Sequence, residues 1–253
     1  MAQFVYVMAF TSAHFEECLN VLASLSRSCD PKQPPLNIRV HASLTTEQVD
    51  VMKETIRAHN AECRYELTVL PIRDDLFPAE ADWGTPAFSK IVQIKLLALL
   101  DTLRVAPDDA HVLWLDTDLY FKHDVREALL RAISPDACAL FQRTFQHACS
   151  GFFLLPGNGT RAAQRSLLSN AHRRLLSHIR SLSSQYKGDE ACLNEEINEA
   201  KVPIRFLDQR LFPDGNVYFN HNIRDDALVV HNNFICGLQA KIARFKEHGL
   251  WLV

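Results

Sequence analysis

No stretch of the chain approaches the ~20 consecutive apolar residues that a membrane-spanning helix requires, and no charged segment followed by an apolar run opens it. Neither a transmembrane segment nor a secretory leader is therefore expected. A strong charge of one sign is lacking too: 27 basic and 30 acidic residues give a net charge of −3. A chain so balanced has no general attraction for nucleic acid or an anionic membrane, so any phosphate it binds must be held by a local site. None of the seven cysteines, Cys18, Cys29, Cys63, Cys138, Cys149, Cys192 and Cys236, stands in a C-x-x-C pair, and their number is odd. This signals neither a zinc site nor a disulfide framework and fits reduced, mostly buried thiols. Internal repeats, low-complexity tracts and linkers are absent as well, and the 253 residues read as one domain, 1–253. With 47% hydrophobic and 23% charged residues, that domain can bury a large core.

The apolar residues are arranged to alternate strand with helix. Phe4 to Phe10 is a continuous apolar run, which reads as a strand buried on both faces. It meets the capping residues Thr11 and Ser12, after which Phe15, Cys18, Leu19, Leu22 and Leu25 recur at helical spacing through residues 14–28. Leu36 to His41 predicts a second strand, Thr45 to His59 a helix with a threonine cap, and Tyr65 to Leu70 a third strand. A loop rich in Asp, Pro and Gly runs from Arg73 to Pro86 and a helix from Ala87 to Leu103. Phe141 and Gly151 to Leu155 suggest further strands, and Arg161 to Ser184 a long helix carrying several Arg and His residues, either a solvated basic face or an acceptor-binding one. The pattern implies a single α/β domain, a mainly parallel sheet flanked by helices.

His111 to Leu115 is a short apolar strand that ends in Asp116-Thr117-Asp118. Side chains at i and i+2 of a strand share a face, so the two carboxylates are expected together at a strand's carboxyl end. Ligands of open α/β sheets bind there. Hard oxygen ligands suit Mg²⁺ or Mn²⁺, which keep open positions for substrate phosphates. Asp is also common where a strand gives way to a turn, so the same pair alone is compatible with an ordinary turn.

The order of motifs along nearly the whole chain resembles the GT-A glycosyltransferases, whose fold is Rossmann-like, and among them the retaining nucleotide-diphospho-sugar transferases. The pieces are the first strand with Thr11-Ser12, the helix around Lys95-Leu96-Leu97, Leu113-Trp114-Leu115-Asp116-Thr117-Asp118, and Cys149-Ser150-Gly151-Phe152-Phe153. Gly188-Asp189-Glu190-Ala191-Cys192-Leu193-Asn194, Leu207-Asp208, Phe212-Pro213-Asp214-Gly215 and the segment from His231 through Gly237 to Lys241 follow. The resemblance implies a UDP-sugar donor, a glycan or glycoprotein acceptor, and Mn²⁺ or Mg²⁺ held by Asp116, Asp118 and His231. It places Thr11, Ser12, Lys95, Asp116, Thr117, Ser150, Gly151, Asp189, Gly237 and Lys241 against the donor. Lys90 rivals Lys95 because the spacing to the aspartates is longer here than usual, which an insertion around Val105–Asp109 explains.

Asp189 and Glu190 resemble the family's Asp-Gln pair beside the reacting carbon and are the implied catalytic residues. Glutamate in place of glutamine makes a covalent route conceivable, whereas glutamine favours front-face attack. Asp208 either serves the acceptor side or begins a turn. Two other readings share some of these residues: an inactive sugar-nucleotide-binding domain, and a D-x-D phosphatase, which departs from this chain in having Thr or Val where Tyr120 stands. The chain as it stands is expected in the cytoplasm, the alternative being the lumenal catalytic domain of a longer Golgi protein.

Overall fold

The structure is a computed structural model and describes residues 3–72, 81, 84–181, 187–221 and 225–253. Most of the expected Arg73–Pro86 loop and the end of the expected 161–184 helix lie outside the described residues. The first half of the chain alternates as expected: β1 (Phe4–Ala9), α1 (Phe15–Ser28), β2 (Leu36–His41), α2 (Thr46–His59) and β3 (Tyr65–Leu70). Thr45 caps α2 by accepting from the Gln48 amide at 3.3 Å, and Gln48 returns the bond to the Thr45 amide at 3.0 Å. The chain continues through α3 (Pro86–Val105), β4 (His111–Leu115), β5 (Leu119–Phe121), α4 (Arg126–Ala132), β6 (Ala139–Thr144) and β7 (His147–Leu155). It ends with α5 (Arg161–Arg180), α6 (Asp189–Glu199), β8 (Ile204–Phe206), β9 (Val229–His231) and α7 (Leu238–Glu247).

Seven strands form one sheet in the order β3-β2-β1-β4-β7-β6-β8. Its pairings are parallel except at β7, which runs against both β4 and β6. The short β5 and β9 pair antiparallel in a second sheet. Strand alternation explains why β1 is apolar throughout: Phe4, Tyr6 and Met8 pack with α1 and α2 residues such as Leu22 and Ile56, while Val5 and Val7 pack with Leu99 of α3 and Leu168 of α5. Because β1 leads to β2 on one side and pairs with β4 on the other, the sheet's switch point lies between β1 and β4. Their carboxyl ends carry Thr11 and Asp116.

The basic residues of α5 divide: Arg165, Arg173 and Arg180 are exposed, as a solvated face requires, while several side chains are tied to neighbouring elements. Arg161 is buried and donates to the carbonyls of Pro107 and Ala110, both at 2.9 Å, and Arg165 donates to that of Leu103 at 2.7 Å. Arg174 pairs with Glu196 at 3.0 Å and Glu199 at 2.6 Å, joining α5 to α6. All seven cysteines are free and only Cys236 is exposed. Among the described residues no helix is long and apolar enough to cross a membrane.

Candidate active site

The two aspartates converge in a way that strand alternation does not describe. β4 ends at Leu115, and Asp116-Thr117-Asp118 turns the chain from the large sheet into β5 of the small one. Asp116 is fixed by its amide, which donates to the Gly151 carbonyl at 2.9 Å, and by the Trp114 indole N–H, which donates to its Oδ1 at 2.7 Å. His231 is the last residue of β9 rather than a residue beyond it, and it pairs with Leu119. That register sets its ring beside Asp118, with Nε2 and Oδ1 3.2 Å apart. One ligand atom from each of Asp116, Asp118 and His231 lies within 4.8 Å of the others.

The His231 ring is oriented from behind. Its Nδ1 donates to Oε1 of the buried Gln142 at 2.7 Å, and Gln142 in turn donates to the Pro213 carbonyl at 2.7 Å. This leaves Nε2 facing the carboxylates, the tautomer a metal-ligating histidine needs. Gly151 completes the cradle: a β-carbon there would sit 2.2 Å from Cε1 and 2.7 Å from Nε2 of His231, and 2.9 Å from Oδ2 of Asp116. Two carboxylates, one imidazole and the space kept by a glycine fit a hard divalent cation.

Two lysines balance the carboxylates. Lys95 is buried and lies 3.0 Å from Asp116 and 2.8 Å from Asp189, and it donates to the Ser150 carbonyl at 3.0 Å and the Ser150 hydroxyl at 3.2 Å. Lys90 is exposed and is not among the cavity walls, whereas Lys95 is. Lys241 lies 2.7 Å from Asp118. Burial alone would favour the neutral forms of these groups, but the paired charges outweigh it: the pKa values of both lysines and of His231 are raised, and Asp118 is held well below the usual carboxylate range. A divalent ion bound between the carboxylates would take the place of the proton on His231 Nε2. Glu190 shifts the other way, since burial pushes its carboxyl up, although its Oε2 accepts from the Ser150 amide at 3.1 Å.

A cavity of about 330 Å³ is lined by Lys95, Asp116, Asp118, Ser150, Gly151, Asp189, Glu190, His231 and Lys241, among others. Thr11, Ser12, Thr117 and Gly237 are not among its walls. Thr11 and Ser12 lie at the end of β1, the Thr117 hydroxyl donates to the buried Glu17 at 3.3 Å, and Gly237 begins α7 with φ +90°. Asp208 forms a turn, its carboxylate accepting from the Arg210 amide at 2.9 Å. Sequence reasoning missed Gln142, whose only signal is a polar residue inside an otherwise buried apolar strand.

A central sheet, largely parallel, with a charged, carboxylate-lined cavity beside the carboxyl end of β4 is an arrangement suited to a phosphate-bearing substrate, and the comparisons supply the family. The sequence model of the nucleotide-diphospho-sugar transferases matches residues 50–245, and the chain belongs to that family of glycosyltransferases. It is 29% identical over 192 residues to the UDP-galactose:fucoside alpha-3-galactosyltransferase of Dictyostelium discoideum, a match covering 68% of this chain and 29% of that protein. It is 30% identical over 177 residues to a UDP-D-xylose:L-fucose alpha-1,3-D-xylosyltransferase of Arabidopsis thaliana, covering 62% of this chain and 47% of that one. The chain thus spans less than half the length of these curated relatives. Mouse xyloside xylosyltransferase 1 shares the fold with a TM-score of 0.61 at 15% identity, over 92% of this chain and 98% of that one.

Proposed function

We propose that the chain transfers galactose or xylose from a UDP-sugar to a hydroxyl of a glycan acceptor, with a divalent metal ion and with retention at the anomeric carbon. The observation that carries this reading is the meeting of Asp116, Asp118 and His231 in one cavity with Lys95, Lys241 and Asp189. Asp116, Asp118 and His231 would hold the ion, Mn²⁺ or Mg²⁺, whose chemistry is to neutralise charge on the departing diphosphate. Lys241 supplies a second positive charge to the same leaving group. Thr11, Ser12 and Thr117, near the switch point and outside the cavity walls, would contact another part of the donor, and the positive φ of Gly237 would let backbone approach a phosphate. Lys95 fixes Asp116 and Asp189 relative to each other, Ser150 and Gly151 line the sugar pocket, and Asp189 orients the donor's hydroxyls.

Retention is supported by the relatives, whose names pair a UDP-sugar with an α linkage. Front-face attack suits Glu190 better than a covalent route. A nucleophile should be ionised and unengaged, whereas burial favours the neutral form of this carboxyl and Oε2 is committed to the Ser150 amide. The acceptor's proton then passes to an oxygen of the departing diphosphate.

The test is turnover of UDP-galactose, UDP-xylose, UDP-arabinose and UDP-glucose with Mn²⁺ and methyl α-L-fucoside, the acceptor class named in both curated relatives. Release of UDP with a new α-linked disaccharide supports the reading. Phosphate release would indicate a phosphatase, and UDP binding without turnover a binding domain.

A further inference from the structure

Two phenylalanines outside the cavity are placed as if to be used. Phe145, in the turn between β6 and β7, is 65% exposed, and Phe234, just beyond His231, is 46% exposed. Apolar rings so exposed normally scatter singly, yet these two meet edge to face, with centroids 5.4 Å apart and planes at 81°. Both also hold a left-handed backbone, φ +50° at Phe145 and +58° at Phe234. Bulky side chains avoid that region, and such conformations persist where the surroundings enforce them, often at ligand clamps.

The backbone beside each ring is tied down by hydrogen bonds, and on each side it leads into a wall of the donor cavity. Asn233, between Phe234 and the metal-site loop, lines the cavity; its Oδ1 accepts from the Gly215 amide at 2.6 Å and its carbonyl accepts from Arg244 at 2.5 Å. On the other side, Arg143 donates to the Phe145 carbonyl at 3.0 Å, and Asn194 clamps Ala148 by bonds of 2.9 and 2.8 Å to its amide and carbonyl. Cys149 and Ser150, the next residues, are cavity walls. Phe234 is three residues from His231, so its Cα lies within roughly 11 Å of that of the proposed metal ligand. Neither ring is a wall of the cavity, but Phe234 follows directly on the wall residue Asn233, and Phe145 lies in the turn whose strand runs on into the wall residues Cys149 and Ser150.

Two rings offer far too little area for a stable protein interface, which needs about 800 Å² on each partner. They suit a small ligand with one apolar face. A pyranose presents such a face through its axial C–H groups, and a 6-deoxyhexose adds a methyl group where other hexoses carry a hydroxyl. We infer that Phe145 and Phe234 form the acceptor subsite and take the C–H face and methyl group of a 6-deoxyhexoside, leaving its reacting hydroxyl turned toward the donor. This inference rests on the transferase reading given above.

The test compares wild type with Phe145→Ala, Phe234→Ala and the double variant, using UDP-galactose or UDP-xylose, Mn²⁺, and methyl α-L-fucoside or methyl α-L-galactoside, which differ only in the 6-hydroxyl. The expected result is a fucoside KM raised about tenfold in the double variant, with a smaller change in kcat and an unchanged Kd for UDP by calorimetry. The preference for fucoside over galactoside should also fall toward unity in the double variant, and Phe234→Trp, which keeps an aromatic ring, should leave the KM near that of wild type. An unchanged KM and preference in a wild type that does transfer would overturn the inference alone. A UDP Kd that rises as much as the acceptor KM would make the rings supports of the metal loop, and a dimer lost in the double variant would make them a contact between copies; either overturns it. A wild type that binds UDP with Mn²⁺ but transfers to neither glycoside would refute the transferase reading, and the inference with it.

Discussion

Gly151 lies directly beneath His231, close enough that one added methyl group would overlap the imidazole at 2.2 Å and crowd the Asp116 carboxylate at 2.9 Å. The close approach sets β7 of the large sheet against β9 of the small one, each held by its own strand pairing. Gly151→Ala should therefore displace the ring and lower Mn²⁺ affinity by about 10–100-fold, the range found when the support of a metal ligand is lost. Mn²⁺ titration by electron paramagnetic resonance checks this, and an unchanged affinity would show that the ring has room to move.

Lys95 bridges Asp116, Asp189 and Ser150 from a buried position. Lys95→Met fills much of the same volume but leaves two carboxylates without their shared counter-charge. Removing one partner of a buried pair is costly, and a loss of about 3 kcal/mol is expected together with loss of transfer. Urea denaturation measures the first and a UDP-release assay the second. Retained stability would mean that solvent reaches both carboxylates.

Glu190→Gln separates the two routes to retention. Front-face attack predicts transfer within about tenfold of wild type, because glutamine keeps the shape and can still accept from the Ser150 amide. A nucleophilic Glu190 predicts a loss of about 10⁴ or more, as for other catalytic nucleophiles. Single-turnover kinetics with a saturating donor distinguish them.

Much of this site was legible before the structure. The β1 to β3 alternation, the Asp116–Asp118 pair at the end of an apolar strand and the capping threonine of α2 follow from residue type and spacing. Lys95 and His231 were visible only through resemblance, since a lone lysine on a helix or histidine near a strand has no spacing signal of its own. The reversed direction of β7 was not legible, because Gly151 to Leu155 is buried on both faces and a uniformly apolar run does not reveal which way it points. Nor was the turn at Thr117: a D-x-D pair reads equally as two residues of a strand or as two arms of a turn. Gln142 and the glycine contact depend on residues some 80 positions away and exist only once the sheets are assembled.

His41, at the end of β2, is buried with its Nε2 lacking a hydrogen-bond partner, and burial lowers its pKa to about 4. Its folded pKa lies below the unfolded value of about 6.5, so the unfolded chain takes up the proton first as pH falls. The neutral ring's contribution is fully present above pH 6.5 and is lost progressively toward pH 4. Between pH 7 and pH 5 this single residue should cost about 1 kcal/mol of stability, after allowance for partial solvent access. His41→Leu should lose correspondingly less over that interval, as read from urea midpoints at the two pH values; an equal loss in both proteins would place the acid sensitivity elsewhere.

The most direct measurement of the central claim is sugar transfer by chelator-treated protein before and after Mn²⁺ is restored. The account predicts no detectable glycoside from UDP-sugar and methyl α-L-fucoside without metal, recovery on addition of Mn²⁺, and no recovery in Asp118→Asn. Full transfer by the metal-free protein would contradict it and remove Asp116, Asp118 and His231 from the role assigned to them.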